Sequence, residues 1–143
     1  MFKEEAKLMM LFPFAFLAIG MLAGYIGPRI IGNPCSNSVI NETVSPNKKN
    51  KLIVFTRDCG ATTGFGTHVS LLSIKRKLKN NPGNIFTADS DHGKCPSSNN
   101  GGPVVKVKWE SNEKIVIEHN KKARVFKSEN ELDRILVVYK KTI

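Results

Sequence analysis

Acidic residues are in short supply in this 143-residue chain, with 12 Asp/Glu against 22 Lys/Arg and a formal net charge of +10. Setting aside Lys3, Lys7, Glu4 and Glu5 leaves 20 basic against 10 acidic residues from Arg29 onward. A surface of that charge attracts polyanions at long range, whether nucleic acid, anionic lipid or an acidic envelope polymer. The densest basic run, Lys75, Arg76, Lys77 and Lys79, has no aromatic residue interleaved with it. Without rings on which bases could stack, it does not read as a nucleic-acid site. It reads as a solvated basic patch that could face an anionic membrane surface or an envelope polymer. No complete catalytic or cofactor motif occurs, so no catalytic residue, metal or cofactor is assigned.

Charge is also missing from residues 8–28. Twenty-one consecutive uncharged, mostly apolar residues at 1.5 Å rise each are long enough to cross a hydrocarbon core of about 30 Å. This predicts a transmembrane helix over 8–28, preceded by a short head over 1–7. Tyr25 suits the interfacial belt. A cleaved signal peptide is the rival, with Ala18-Ile19-Gly20 as the small-residue site, but apolar residues continue past it and favour a signal anchor. Lys3, Lys7 and the terminal amine precede the span, and only Arg29 follows before Lys48, which orients the amino terminus inside and the following domain outside. Gly20 and Gly24 form a Gly-x-x-x-Gly pair. It reads either as a helix-packing face for a helix dimer or a membrane-protein partner, or as small residues that merely occur in a membrane helix.

Residues 29–50 are rich in turn-formers and show no lasting period, which predicts an irregular tether. Ser45-Pro46-Asn47 has the order of a tight turn leading into a strand. Only three cysteines are present, Cys35, Cys59 and Cys95, so in an oxidising compartment two pair and one is left over. Pairing Cys35 with Cys59 pins the tether to the stretch around Arg57 and closes a loop worth about 3 kcal/mol in the chain-entropy description. Pairing Cys59 with Cys95 is the alternative.

Over 51–143 the hydrophobic period is mostly two. Val105, Val107 and Trp109 alternate with Lys106 and Lys108, and 113–119 repeats the pattern after a short turn at Ser111-Asn112. Further strands are expected at 52–57, 67–74, 84–88, 124–126 and 134–140. The expected fold class is mainly β, a small antiparallel sheet or sandwich of about seven strands. The polar loop 89–103 is long enough to be functional or mobile.

The most unusual stretch is 57–68, which packs an ion-pair dipeptide, a cysteine, three glycines and three threonines between two apolar runs. Arg57, Asp58, Gly60, Thr62, Thr63 and Gly64 are therefore the candidate functional turn. Cys59 with His68, oriented by Asp58, could form a thiol nucleophile and its base, but a structural disulfide and local bonds from Arg57, Asp58 and the threonine hydroxyls account for the same residues. Asp89, Asp91 and Gly93 have the alternation of a calcium loop, yet the third ligand and the closing glutamate are missing. His119 ends a strand with no evident partner and reads as a surface residue.

Cys35-Ser36-Asn37, Ser45-Pro46-Asn47, the run Arg57-Asp58-Cys59-Gly60-Ala61-Thr62-Thr63-Gly64-Phe65, Thr67-His68-Val69-Ser70, Asn84-Ile85-Phe86 and Arg124-Val125-Phe126 resemble a family of small bacterial envelope proteins of unknown function. Its members have a membrane or lipoprotein leader and one β-rich domain. The resemblance runs from Cys35 to Tyr139, with the Arg-Asp-Cys-Gly-Ala-Thr-Thr block its most specific part. It implies an extracytoplasmic domain on a single-pass protein of the bacterial inner or cytoplasmic membrane, and a bridge between Cys35 and Cys59. It brings no activity. Gly66, where the family usually has serine, and Cys95 depart from the pattern. Together these readings lead to a membrane-anchored module with a binding or structural role in the envelope. A thiol-dependent enzyme or redox protein using Cys59 and Cys95, and an accessory subunit of a larger membrane complex, are the alternatives.

Overall fold

A computed structural model of the chain describes residues 16–21, 34–60 and 63–143. The chain divides into two compact units, Met1–Pro34 and Cys35–Ile143. In the first, residues 16–21 are helical, and Phe16, Leu17, Ile19 and Met21 are exposed. The rest of the span expected at 8–28, with Gly24, lies outside the described residues. Among the described residues no helix is long and apolar enough to cross a membrane.

Among its described residues the second unit has nine strands: β1 (Ser36–Val44), β2 (Asn50–Asp58), β3 (Gly66–Ser73), β4 (Phe86–Asp89), β5 (Val105–Ser111), β6 (Lys114–Asn120), β7 (Arg124–Ser128), β8 (Glu131–Leu132) and β9 (Ile135–Thr142). They form a five-stranded sheet in the order β1-β2-β3-β4-β7 and a four-stranded sheet in the order β5-β6-β9-β8. The expected mainly β class holds, with two more strands than the sequence suggested. Alternation explains the core. Leu52 and Val54 on β2, Val69 and Leu71 on β3, and Phe86 and Ala88 on β4 cluster with Ile115 and Ile117 on β6 and Val137 on β9. Val105, Val107 and Trp109 pack against this cluster, while Lys106 and Lys108 stay exposed, as period two requires.

Three expectations need correction. The stretch read as an irregular tether contains β1, which pairs antiparallel with β2 from Ser36↔Asp58 to Val44↔Lys51. As an edge strand with a bulge at Ile40, β1 has among the described residues one hydrogen-bonded neighbour, and its surface is largely exposed. Its sequence therefore lacks the apolar alternation that marks a half-buried strand. The sheets are also not wholly antiparallel, because β6 and β9 run parallel from Lys114↔Leu136 to Asn120↔Thr142. The intervening β7 crosses to the other sheet, which turns the chain around before β9. Finally, His119 is buried at 4% exposure, its ring 5.2 Å from that of Phe86.

The expected turn at Ser45-Pro46-Asn47 does join β1 to β2. Ser45 N–H donates to Asn50 O and Lys48 N–H to Ser45 O, and the Asn47 side chain accepts from Ser45 Oγ and Lys49 N–H. The long polar loop after β4 is tied down rather than free. Ser97 and Pro103 form an isolated bridge, and the buried Thr67 hydroxyl donates to Pro103 O at 2.7 Å.

Candidate functional site

The five-stranded sheet has a second face, turned away from the core, and the site lies there. Register places Arg57 opposite Gly66, Gly66 opposite Asp89, and Asp89 opposite Arg124, so these four residues form one row across β2, β3, β4 and β7. The next row runs Phe55, His68, Thr87 and Lys127. Gly66 has no side chain, so the first row carries a gap at its second position. Around that gap lies a cleft of about 600 Å³ lined by Arg57, Phe65, Gly66, His68, Asp89 and Arg124, with His92 and Phe126 among the further walls.

The residues 79–84 close one side of this face. Gly83 N–H donates to His68 Nδ1 at 3.1 Å, Asn84 N–H donates to Ser70 Oγ, and the Asn37 amide donates to Lys79 O and Asn81 O. This strap is why Ile53 and Phe55, on the outer side of β2, are buried at 2% and 0% exposure. Gly83 allows the close approach, since a Cβ there would stand 2.5 Å from Phe86 O and 2.7 Å from Val69 O.

Arg57 is buried at 8% exposure. Its Nη1 donates to Asn37 Oδ1 at 2.7 Å and to Asn80 Oδ1 at 3.0 Å, and among the described residues no carboxylate forms a salt bridge with it. A buried guanidinium held by neutral amide oxygens keeps its positive charge uncompensated at the cleft wall. On the other side Arg124 is compensated, donating to both Asp89 oxygens and lying 5.0 Å from the centre of the Phe126 ring. A bulge between Thr87 and Ala88 on β4 leaves Phe126 as the extra residue on β7, and bulges re-aim side chains in this way. Phe126 is 64% exposed and Phe65 47%. Burial alone raises the Asp89 pKa, but the Arg124 hydrogen bond, the Asp91 backbone N–H and the Arg124 charge outweigh it, so the carboxyl lies below the usual range.

His68 stacks on Phe55 at 5.4 Å. Burial first, and the Arg57 charge second, lower its pKa from 6.5 to about 4. Because Nδ1 accepts from Gly83, neutral His68 carries its proton on Nε2. That nitrogen lies over Gly66, where a Cβ would stand 2.9 Å from it, and both residues line the cleft. The same geometry predicts a pH dependence. With a folded pKa near 4 and an unfolded one near 6.5, the unfolded chain binds more protons between those values, so stability is full above about pH 6.5 and is lost as pH falls toward 4. After discounting for the ring's partial exposure the loss is about 1–2 kcal/mol. Chemical denaturation of wild type and His68→Gln at pH 7.0 and 4.5 checks it: the wild type loses that amount more than the variant, and equal losses contradict the assignment.

The candidate turn is divided by this architecture. Asp58 Oδ1 accepts from Gly60 N–H at 2.9 Å, Gly60 adopts a left-handed φ of 100°, and the Thr63 N–H and hydroxyl both donate to Gly60 O. Asp58, Gly60 and Thr63 thus hold the turn, whereas Arg57 points to the sheet face. A Cβ on Gly64 would meet nothing within 4 Å, and Thr62 lies outside the described residues. Cys35 and Cys59 are joined in a disulfide, one step beyond the Ser36↔Asp58 pair. The Cys59 sulfur is thereby engaged, although Cys59 and His68 line the same cleft. Cys95 is a buried thiol whose pKa is pushed up by burial, against a smaller opposing effect of the Lys122 charge. Lys75, Arg76, Lys77 and Lys79 are exposed on the connection between β3 and β4. Asp91 pairs with Lys94 at 2.8 Å, and among the described residues no three His, Cys, Asp or Glu side chains gather where they could hold a metal ion.

No protein-family model, curated protein or solved structure matches this chain. The site therefore has to be judged on its own geometry. Asp89 was weighed only as a calcium-loop ligand, and Arg124 and Phe126 were not read as site residues, because Arg124 meets Asp89 across 35 positions of sequence.

Proposed function

We propose that this chain is a membrane-anchored, extracytoplasmic module of a bacterial envelope that binds a ligand in the Gly66 cleft and carries out no catalysis of its own. The observation that carries the binding reading is the Arg57, Gly66, Asp89, Arg124 row, in which a missing side chain opens a cleft beside a buried, uncompensated guanidinium. At about 600 Å³ the cleft falls within the range of small-molecule sites. The Cys35–Cys59 bridge supports an oxidising compartment, and the uncharged 8–28 segment supports a signal anchor in membrane lipid.

In this reading the resemblance to small envelope proteins, the exposed run from Lys75 to Lys79 and the pair Gly20 and Gly24 describe how the module is placed. The lysines meet anionic lipid or an acidic envelope polymer, and the glycines meet a second copy or a membrane-protein partner. Protease added to intact spheroplasts tests the placement. Digestion of the β unit from outside, with the chain remaining in the membrane after alkaline extraction, is the expected result; full protection until lysis overturns it.

A further inference from the structure

We infer that the Gly66 cleft takes a monoanion, a carboxylate carried on a flat apolar body, with the carboxylate held by Arg57 and the His68 Nε2–H and the body lying between Phe65 and Phe126. This inference rests on the reading of the cleft as a binding site and adds the chemical class of the ligand.

Three observations converge. First, Arg57 is nine-tenths buried, and among the described residues its guanidinium donates to the side-chain oxygens of Asn37 and Asn80 and forms no salt bridge. Those amides fix the guanidinium in place without neutralising it, so an incoming carboxylate meets an oriented donor with its charge intact. Second, the Gly83 N–H occupies His68 Nδ1 and leaves the Nε2–H, which lies over Gly66 in the cleft lining, as the ring's remaining donor. Third, apart from the histidines, the charges lining the cleft are Arg57 and Arg124 against Asp89, a balance of one positive charge. One negative charge matches that balance, while a phosphate dianion would be repelled by Asp89.

The walls define the rest of the ligand. Phe65 and Phe126 are exposed rings that line the cleft. Phe126 is braced by the Arg124 guanidinium, which in turn is held by Asp89. A flat ring or planar apolar body gains stacking and apolar burial on these faces.

The chain contains three histidines. His68 and His92 line the cleft, and His119 sits in the core beside Phe86. Histidine-selective labelling of the full chain in lipid nanodiscs therefore gives two reporters and an internal control. Titration with phenylacetate is expected to shift the His68 and His92 ring signals while His119 stays fixed. The neutral phenylacetamide should bind at least about tenfold more weakly. Phe126→Ala, a change of an exposed side chain that leaves the fold intact, should weaken phenylacetate binding several-fold, and Arg57→Gln should bring phenylacetate down to the amide's level. If the two probes shift His68 equally, the monoanion assignment is overturned while the cleft stands as a binding site. If neither probe moves His68 or His92, both the assignment and the binding reading are overturned.

Discussion

Replacing Phe86 with alanine is expected to lower the stability of the β unit by about 3–5 kcal/mol, the range for emptying a fully buried aromatic position. Phe86 is completely inaccessible and belongs to the cluster that joins the two sheets. Its ring lies 5.2 Å from His119 and 5.8 Å from Tyr139, so truncation also removes two aromatic contacts. The Tyr139 hydroxyl, which sits within hydrogen-bond distance of Ile85 O and Glu129 O, then loses the packing that positions it. Urea denaturation of the full chain measures the effect, with Phe126→Ala as control at under about 0.5 kcal/mol because that ring faces solvent. Comparable losses for the two phenylalanines would contradict the placement of the core between the sheets.

The second large effect belongs to the disulfide. Changing Cys35 and Cys59 together to serine reopens a loop with a sequence separation of 24, for a loss of about 3 kcal/mol through the denatured ensemble. The unfolding midpoint should fall by about 10 °C or more for a unit of this size. The local consequence is at the edge of the sheet. Among the described residues β1 pairs with β2 alone, and the Asn80 amide donates to Cys35 O. The start of β1, which carries Asn37 to Arg57, should therefore fray first. Amide exchange at Asn37 and Ser38 faster than at Leu52 and Val54 in the double variant checks this. Uniform exchange across β1 and β2 contradicts it.

Much of the second unit was legible because period two is a local signal. Val105 to Trp109 with its alternating lysines and the run Ile115 to Ile117 marked their strands, and Ser45-Pro46-Asn47 marked its turn. β1 escaped because an edge strand makes half its hydrogen bonds and buries little, so its polar sequence is indistinguishable from a loop. The parallel pairing of β6 with β9 escaped because alternation states which face a residue takes, not which strand lies beside it. The site was half legible. Arg57 and His68 stand in the unusual stretch around Cys59, and the bridge expected between Cys59 and Cys35 is present, but nothing in that stretch showed that Arg57 and His68 share a cleft with Asp89, Arg124 and Phe126. That assembly depends on sheet order β2-β3-β4-β7 and on a bulge at Phe126, neither of which leaves a mark in residue types. His119 was misplaced for a related reason: a polar residue at a strand end is often exposed, and only the sheet opposite shows that Phe86 covers it.

The central claim is that a cystine-stapled β unit reaches an oxidising compartment. Thiol trapping in living cells tests it most directly, by acid quenching, denaturation, alkylation and non-reducing mass spectrometry of the full chain. The account predicts a linked peptide pair containing Cys35 and Cys59, with Cys95 as the one alkylated cysteine. Alkylation of all three cysteines in freshly quenched cells would contradict it.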